Sequence, residues 1–163
     1  MGDISQYYCA PPELKLQNGT LNFRTIGDLN HIIRKNLHLI CENFDIIVGI
    51  PRSGLLCANI ISLFLNKPLL TMNDFQYNNI QQISASRGRH ERINIKDARI
   101  LIVDDSITTG SALRRAKFTI DSLISSGKIR ECKYLCVYAT DETAKLADFY
   151  FEVNIPPAKP GAL

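Results

Sequence analysis

The stretch from Ile100 to Leu113, Ile-Leu-Ile-Val-Asp-Asp-Ser-Ile-Thr-Thr-Gly-Ser-Ala-Leu, constrains the fold more than any other part of the chain. Its first four residues are apolar without alternation, the pattern of a strand covered on both faces. Asp104 and Asp105 follow at once, and then Ser106, Thr108, Thr109, Gly110 and Ser111. From Ser111 the spacing of Leu113, Ala116, Ile120 and Leu123 is helical. Strand, polar turn and helix in that order place a ligand at the carboxyl end of a parallel sheet. The first turn of such a helix offers free N–H groups and a field that favours a phosphate. Gly110 permits close backbone approach or a positive φ.

Adjacent carboxylates at a strand end are costly to bury without donors or counter-charge. Asp104 and Asp105 are suited to accept hydrogen bonds from sugar hydroxyls, or to help hold a hard cation such as Mg²⁺. The competing reading is a polar turn that caps the next helix. The apolar strand before the pair and Thr-Thr-Gly-Ser after it weigh against that reading.

A second unit of the same kind lies upstream. Phe44 to Ile50 reads as a strand that opens into Pro51-Arg-Ser-Gly54, and Leu55, Leu56, Ala58, Ile60, Ile61 and Phe64 continue as a helix. Arg52 alone reads as a solvated side chain in a strand–helix loop. Beside the 104–111 segment, the loop becomes a second anion site. Further strands are expected at 67–71, 99–103, 132–139 and 149–153. A helix is expected from Ile26 to Cys41, with Thr25 or Gly27 at its start and Asp28 in its first turn. Another should run from Ser111 to about Ser126, closed by Gly127. Thr140 to Leu146 reads as a short helix capped by Thr140. These pieces define an α/β chain with a doubly wound, mostly parallel sheet.

Residues 12–24 carry two alternating runs around Asn18-Gly19, a hairpin signal. Residues 72–98 are polar and irregular, with a basic knot at Arg87-Gly-Arg-His-Glu-Arg92, and read as a long flexible loop or hairpin. Residues 154–163 hold Pro156, Pro157 and Pro160 and read as an irregular tail. His31 and His38 are not at the i, i+4 spacing of a metal pair and read as surface or partly packed helix residues. Phe149, Tyr150 and Phe151 read as core or edge packing, or as a face for a flat acceptor base.

A chain of 163 residues accommodates one domain, 1–163, with a sizeable core and little room for another. The formal charge of +3 is too small for a nucleic-acid surface and compatible with a polyanionic small molecule. The five cysteines form no CxxC pair, and Cys41, Cys57 and Cys136 lie in apolar runs and read as core residues. This usage points to a reducing, cytoplasmic compartment. No N-terminal run resembles a signal peptide or a membrane span.

The segment VDDSITTGSAL resembles the phosphoribosyl-pyrophosphate (PRPP) motif of the type I phosphoribosyltransferases, and IVGIPRSG resembles the pyrophosphate loop of the same family. The resemblance implies that family's fold, with a small hood and a flexible loop. It assigns the ribose hydroxyls to Asp104 and Asp105, which would also meet Mg²⁺. The 5′-phosphate falls to the loop of Ser106, Ile107, Thr108, Thr109, Gly110 and Ser111. The pyrophosphate falls to Pro51, Arg52, Ser53 and Gly54. By the same resemblance Arg87 and Arg89, with His90, lie on a loop that closes over PRPP. That loop lacks the Lys-rich, His-Gly pattern of the orotate-using enzymes.

The implied reaction is transfer of 5-phosphoribosyl from PRPP to a nucleobase-like acceptor, with Mg²⁺ as cofactor and release of pyrophosphate. In 6-oxopurine enzymes the residue before Thr-Gly is commonly Asp; here it is Thr108, a hydroxyl closer to orotate-type members. Two alternatives are a PRPP- or nucleotide-binding regulatory module without turnover, and the PRPP-binding part of a longer multidomain protein. Similar enzymes are often dimers, and an apolar helix face is compatible with a homodimer.

Overall fold

A computed structural model of the protein describes residues 15–16, 19–20, 25–76 and 95–153. At its start, β1 (Lys15–Leu16) and β2 (Gly19–Thr20) pair antiparallel. Leu16 pairs with Gly19, so Gly19 sits in the second strand rather than at the centre of the turn as expected.

The main sheet has five parallel strands: β3 (Ile46–Gly49), β4 (Leu69–Thr71), β5 (Arg99–Ile107), β6 (Glu131–Ala139) and β7 (Phe149–Val153). Their spatial order is 4-3-5-6-7. The helices are α1 (Ile26–Asn36), α2 (Ser53–Leu65), α3 (Met72–Gln76) and α4 (Ser111–Ser125). Side chains alternate between the two faces of the sheet. Ile46, Val48, Ile100 and Ile102 pack with Leu113, Ala116 and Ile120 of α4. Ile47, Leu101 and Val103 pack on the other face with Leu29 and Ile33 of α1 and Cys57, Ala58 and Ile61 of α2. Both faces are therefore dry, which is why β3 and β5 read as unbroken apolar runs. The fold is doubly wound, as the sequence predicts.

Three element boundaries differ from expectation. First, β5 does not stop at Val103. Its pairing with β6 continues through Asp104 opposite Cys136 and Ile107 opposite Ala139, so the acid pair lies inside the strand. Its pairing with β3 ends where Gly49 meets Val103, so the acids emerge just where β3 has turned away. Second, α1 ends at Asn36 rather than near Cys41, and a 3₁₀ turn follows at Leu37–Leu39. The Asn36 side-chain amide donates to the Ile32 carbonyl at 2.9 Å, competing with continuation of the helix. Cys41 is thereby left exposed rather than in the core. Third, the segment after β6 is mostly a turn, with only a 3₁₀ piece at Ala144–Leu146.

Other expectations hold. Thr25 and Asp28 form a capping box: Asp28 N–H donates to Thr25 Oγ1 at 3.0 Å and Thr25 N–H to Asp28 Oδ2 at 2.8 Å. Gly127, at φ +68°, closes α4 by donating to the Ile124 carbonyl at 2.9 Å. Cys57 and Cys136 are buried. Phe151 is buried, Phe149 meets Phe44 edge-to-face at 6.2 Å, and Tyr150 is exposed. His31 and His38 are exposed. The 72–98 stretch is structured at both ends, by α3 and by a 3₁₀ turn at Ile95–Asp97. Residues 77–94, with Arg87, Arg89 and His90, lie outside the described residues, as does the tail at 154–163. Among the described residues, no helix is long and apolar enough to cross a membrane.

Candidate functional site

The sheet order reverses between β3 and β5. The chain goes from β3 outward to β4, and later from β5 the opposite way to β6 and β7. Loops leaving the carboxyl ends of two such strands diverge and leave a crevice between them. Ile50–Arg52 leads from β3 into α2 there, and Thr108–Gly110 leads from β5 into α4, with Asp104 and Asp105 on the last part of β5.

The two segments touch. A Cβ on Gly54 would lie 2.8 Å from Asp104 Oδ1, 2.9 Å from Asp104 Cα and 2.9 Å from the Val103 carbonyl. Only glycine lets the first turn of α2 settle against the acid pair. Gly49 has a similar role one step earlier, since a Cβ there would lie 2.6 Å from Leu55 Cα. Gly49 was not singled out from sequence, although a glycine ending an apolar strand is itself a sign of close backbone approach. Pro51, Arg52 and Ser53 are exposed around this contact, and the Pro51–Arg52 peptide is cis.

The helix starts differ in a way that bears on ligands. The remote α1 carries a side-chain capping box. The N-caps of α2, Arg52, and of α4, Gly110, make no side-chain capping bond. First-turn N–H groups without side-chain caps are available to an anion; in α4 the Ser111 N–H already meets the Thr109 hydroxyl. Gly110 has φ +73°, and a Cβ there would lie 2.6 Å from Leu146 Cδ1.

Asp104 is buried, and Asp105 and Ser106 are half-buried. Burial, and then the adjacent Asp105 carboxylate, push the Asp104 carboxyl up to about 7. Asp105 N–H donates to Asp104 Oδ1 at 3.0 Å, and Ser106 Oγ–H donates to Asp105 Oδ2 at 3.3 Å. Below the acids, burial and the carboxylates of Asp105 and Asp104 push the Cys57 thiol up to about 12, so it stays a protonated, inert core group.

Beyond the acids, Ile107 and Gly110 are buried while Thr108, Thr109 and Ser111 are exposed. Thr109 Oγ1 lies 3.2 Å from Ser111 Oγ and accepts from the Ser111 N–H at 3.4 Å. Asp104 and Ser106–Leu113 line a concavity of ≈ 60 Å³. A wider cleft of ≈ 250 Å³ adjoins it across Ala112, bounded by Ile50, Pro51, Met72, Asn73, Arg115 and Thr119. The structure thus brings the 51–54 and 104–111 segments together through the Gly54–Asp104 contact, with Pro51 on the wider cleft and Asp104 and Ser106–Ser111 on the smaller concavity. Sequence reading missed three groups behind the loop, Arg114, Thr143 and Leu146. No local motif marks the latter two, which arrive from a turn more than thirty residues away.

An α/β sheet with two glycine-dependent loops and an acid pair at its switch point is the architecture of a protein that holds a polyanionic, hydroxylated ligand. Residues 16–153 match the phosphoribosyl transferase domain family, and the chain belongs to that family. Among solved structures it is similar to a purine phosphoribosyltransferase from Pyrococcus horikoshii Ot3. The identity is 22%, 81% of this chain and 86% of that one are covered, and the TM-score is 0.57. The protein TT1426 from Thermus thermophilus is similar at 16% identity, covering 85% of this chain and 88% of that one, with a TM-score of 0.56. A hypoxanthine-guanine phosphoribosyltransferase from Bacillus anthracis gives 13% identity, 82% coverage of each chain and a TM-score of 0.52. No curated protein sequence matches. At these identities the likeness carries the fold, which is that of the type I phosphoribosyltransferases.

Proposed function

We propose that the protein transfers the 5-phosphoribosyl group of PRPP to a nucleobase-like acceptor and releases pyrophosphate. The carrying observation is the contact of Gly54 with Asp104, which joins two uncapped helix starts and an acid pair in one crevice. Pyrophosphate would lie on the N–H groups of the 51–54 loop, with the Arg52 guanidinium as an added donor. The ribose hydroxyls would donate to Asp104 and Asp105. The 5′-phosphate would lie in the concavity of Ser106–Ser111, against the start of α4.

The donor set fits Mg²⁺. The acid pair offers hard oxygen ligands, and among the described residues it forms no ion pair with a cationic side chain. Among the described residues there is no cluster of three or more acidic, His or Cys ligands. Asp104 and Asp105 would therefore share the ion with substrate oxygens, the usual way Mg²⁺ is held. Bound there, Mg²⁺ would neutralise charge on the leaving pyrophosphate.

As the bond to pyrophosphate breaks, positive charge grows at the anomeric carbon. The protein's part is to fix both phosphate ends and the ribose, so that the acceptor meets a carbon already aligned. The acid pair, with Asp104 buried and Asp105 half-buried, would stabilise the developing charge. No covalent nucleophile is required. Arg87 and Arg89, which lie outside the described residues, are further candidates to donate to the pyrophosphate. Thr108, rather than an acid, before Thr109-Gly110 favours an orotate-like acceptor over a 6-oxopurine.

The test is pyrophosphate release from PRPP and Mg²⁺ across orotate, uracil, adenine, hypoxanthine, guanine and xanthine, with PRPP binding measured in parallel. Orotate-dependent release is expected. Release with a purine alone would overturn the acceptor assignment. Tight PRPP binding without release for any base would replace the enzyme with a regulatory module.

A further inference from the structure

The loop assigned to the 5′-phosphate is held at three points by groups that do not line its concavity. Thr143 Oγ1–H donates to the Ile107 carbonyl. The Arg114 guanidinium donates to the Thr109 carbonyl. Leu146 fills the space where a Cβ on Gly110 would stand. The turn that supplies Thr143 and Leu146 is itself anchored. Thr140 and Thr143 exchange bonds, Thr140 N–H to Thr143 Oγ1 at 3.0 Å and Thr143 N–H to Thr140 Oγ1 at 3.1 Å. Lys117 of α4 donates to the Leu146 carbonyl at 2.7 Å, with its ammonium 4.8 Å from the centre of the Tyr134 ring.

Proton bookkeeping fixes the direction of the network. A threonine hydroxyl has one proton. The Thr143 proton goes to the Ile107 carbonyl, so the 2.8 Å contact between the two hydroxyls must be a donation from Thr140. The chain runs Thr140 O–H to Thr143 O–H to Ile107 C=O, and both threonines are buried.

The consequence follows from peptide geometry. In a planar trans peptide the N–H points opposite to the preceding C=O. Tying back the Ile107 carbonyl turns the Thr108 N–H the other way, and tying back the Thr109 carbonyl does the same for the Gly110 N–H. We propose that Thr143 and Arg114 are positioning residues that hold the Thr108 and Gly110 N–H groups toward the phosphate concavity. Thr140 orients Thr143 in turn. This rests on the assignment of the 107–111 loop to the sugar phosphate.

The experiment compares ribose 5-phosphate and pyrophosphate binding by calorimetry for wild type, Thr143→Val and Thr143→Ser, with KM for PRPP and kcat where turnover is found. Thr143→Val should weaken ribose 5-phosphate about tenfold, the scale of one lost hydrogen bond, and raise KM more than it lowers kcat. Pyrophosphate affinity should not change, and Thr143→Ser should restore ribose 5-phosphate binding. Should Thr143→Val fail to fold, the exposed Arg114→Met carries the same comparison. Equal loss of both ligands, or loss of neither, would overturn the positioning role. Wild-type protein that binds pyrophosphate but not ribose 5-phosphate would overturn the loop assignment itself, and the positioning role with it.

Discussion

At Asp104 the same burial that suits ligand binding works against the empty fold. Its carboxyl is raised from an ordinary 3.8 to about 7 by burial and by Asp105. Between those values the folded state keeps a proton that the unfolded state has lost, so this group makes stability fall as pH rises through the window. The penalty is absent below the lower value and complete above the upper one. Asp104→Asn should therefore be the more stable protein at pH 8, by on the order of 2–4 kcal/mol. The difference should vanish toward pH 4. Urea midpoints of both proteins from pH 4 to 8 measure it, and parallel curves would refute the linkage. PRPP affinity should run the opposite way, falling with acid in wild type and largely lost in Asp104→Asn at every pH. Gly54→Ala makes a different point. Two of the three atoms its Cβ would meet are backbone, which cannot swing aside. Overpacking should cost about 1–3 kcal/mol and weaken ribose 5-phosphate and pyrophosphate together, because it pushes α2 off the acid pair. The role of Gly110 was readable from its place in a loop, whereas that of Gly54 depends on a neighbour fifty residues away.

The elements divide into those that are closed at the start and those left open. Thr25→Ala removes the closure of α1 and should cost about 1 kcal/mol without touching PRPP binding. At α2 the opposite substitution is informative. Ser53→Asp places a carboxylate at an uncapped, exposed helix start and should stabilise the fold by about 0.3–1 kcal/mol. It should also repel pyrophosphate and lower its affinity at least tenfold. A gain in thermal stability with unchanged pyrophosphate binding would show that this helix start is not the anion site. Element types were legible because periodicity separates the buried strands from α1 and α4. Element ends were less so. Asn36 closes α1 through a side-chain bond that no apolar pattern records, and β5 runs on past its polar residues because β6 continues beside it. Pairing partners, not the strand's own composition, decide such ends.

On the scale of the molecule, the doubly wound sheet was legible because two strand–loop–helix units announce parallel strands, while the strand order that creates the crevice is a property of the assembled sheet. That order also ties the site to overall stability. One apolar cluster lies under α4, the other under α1 and α2, and β5 contributes to both. Ile120→Ala and Ile61→Ala empty one fully buried position in each cluster and should each cost about 2–5 kcal/mol. They share no cluster across the sheet, so the double variant should show the sum within about 0.5 kcal/mol. Since β5 belongs to both faces, neither face should melt alone: one transition is expected, with an unchanged denaturant slope. On the proposed reading, PRPP with Mg²⁺ would span the start of α2 on one face and the start of α4 on the other. It should therefore raise the midpoints of both single variants equally, as expected for a ligand bound only by the intact crevice. A second transition in either variant, or protection of one variant but not the other, would show that the two faces unfold separately and that the crevice is not a single ligand-binding unit.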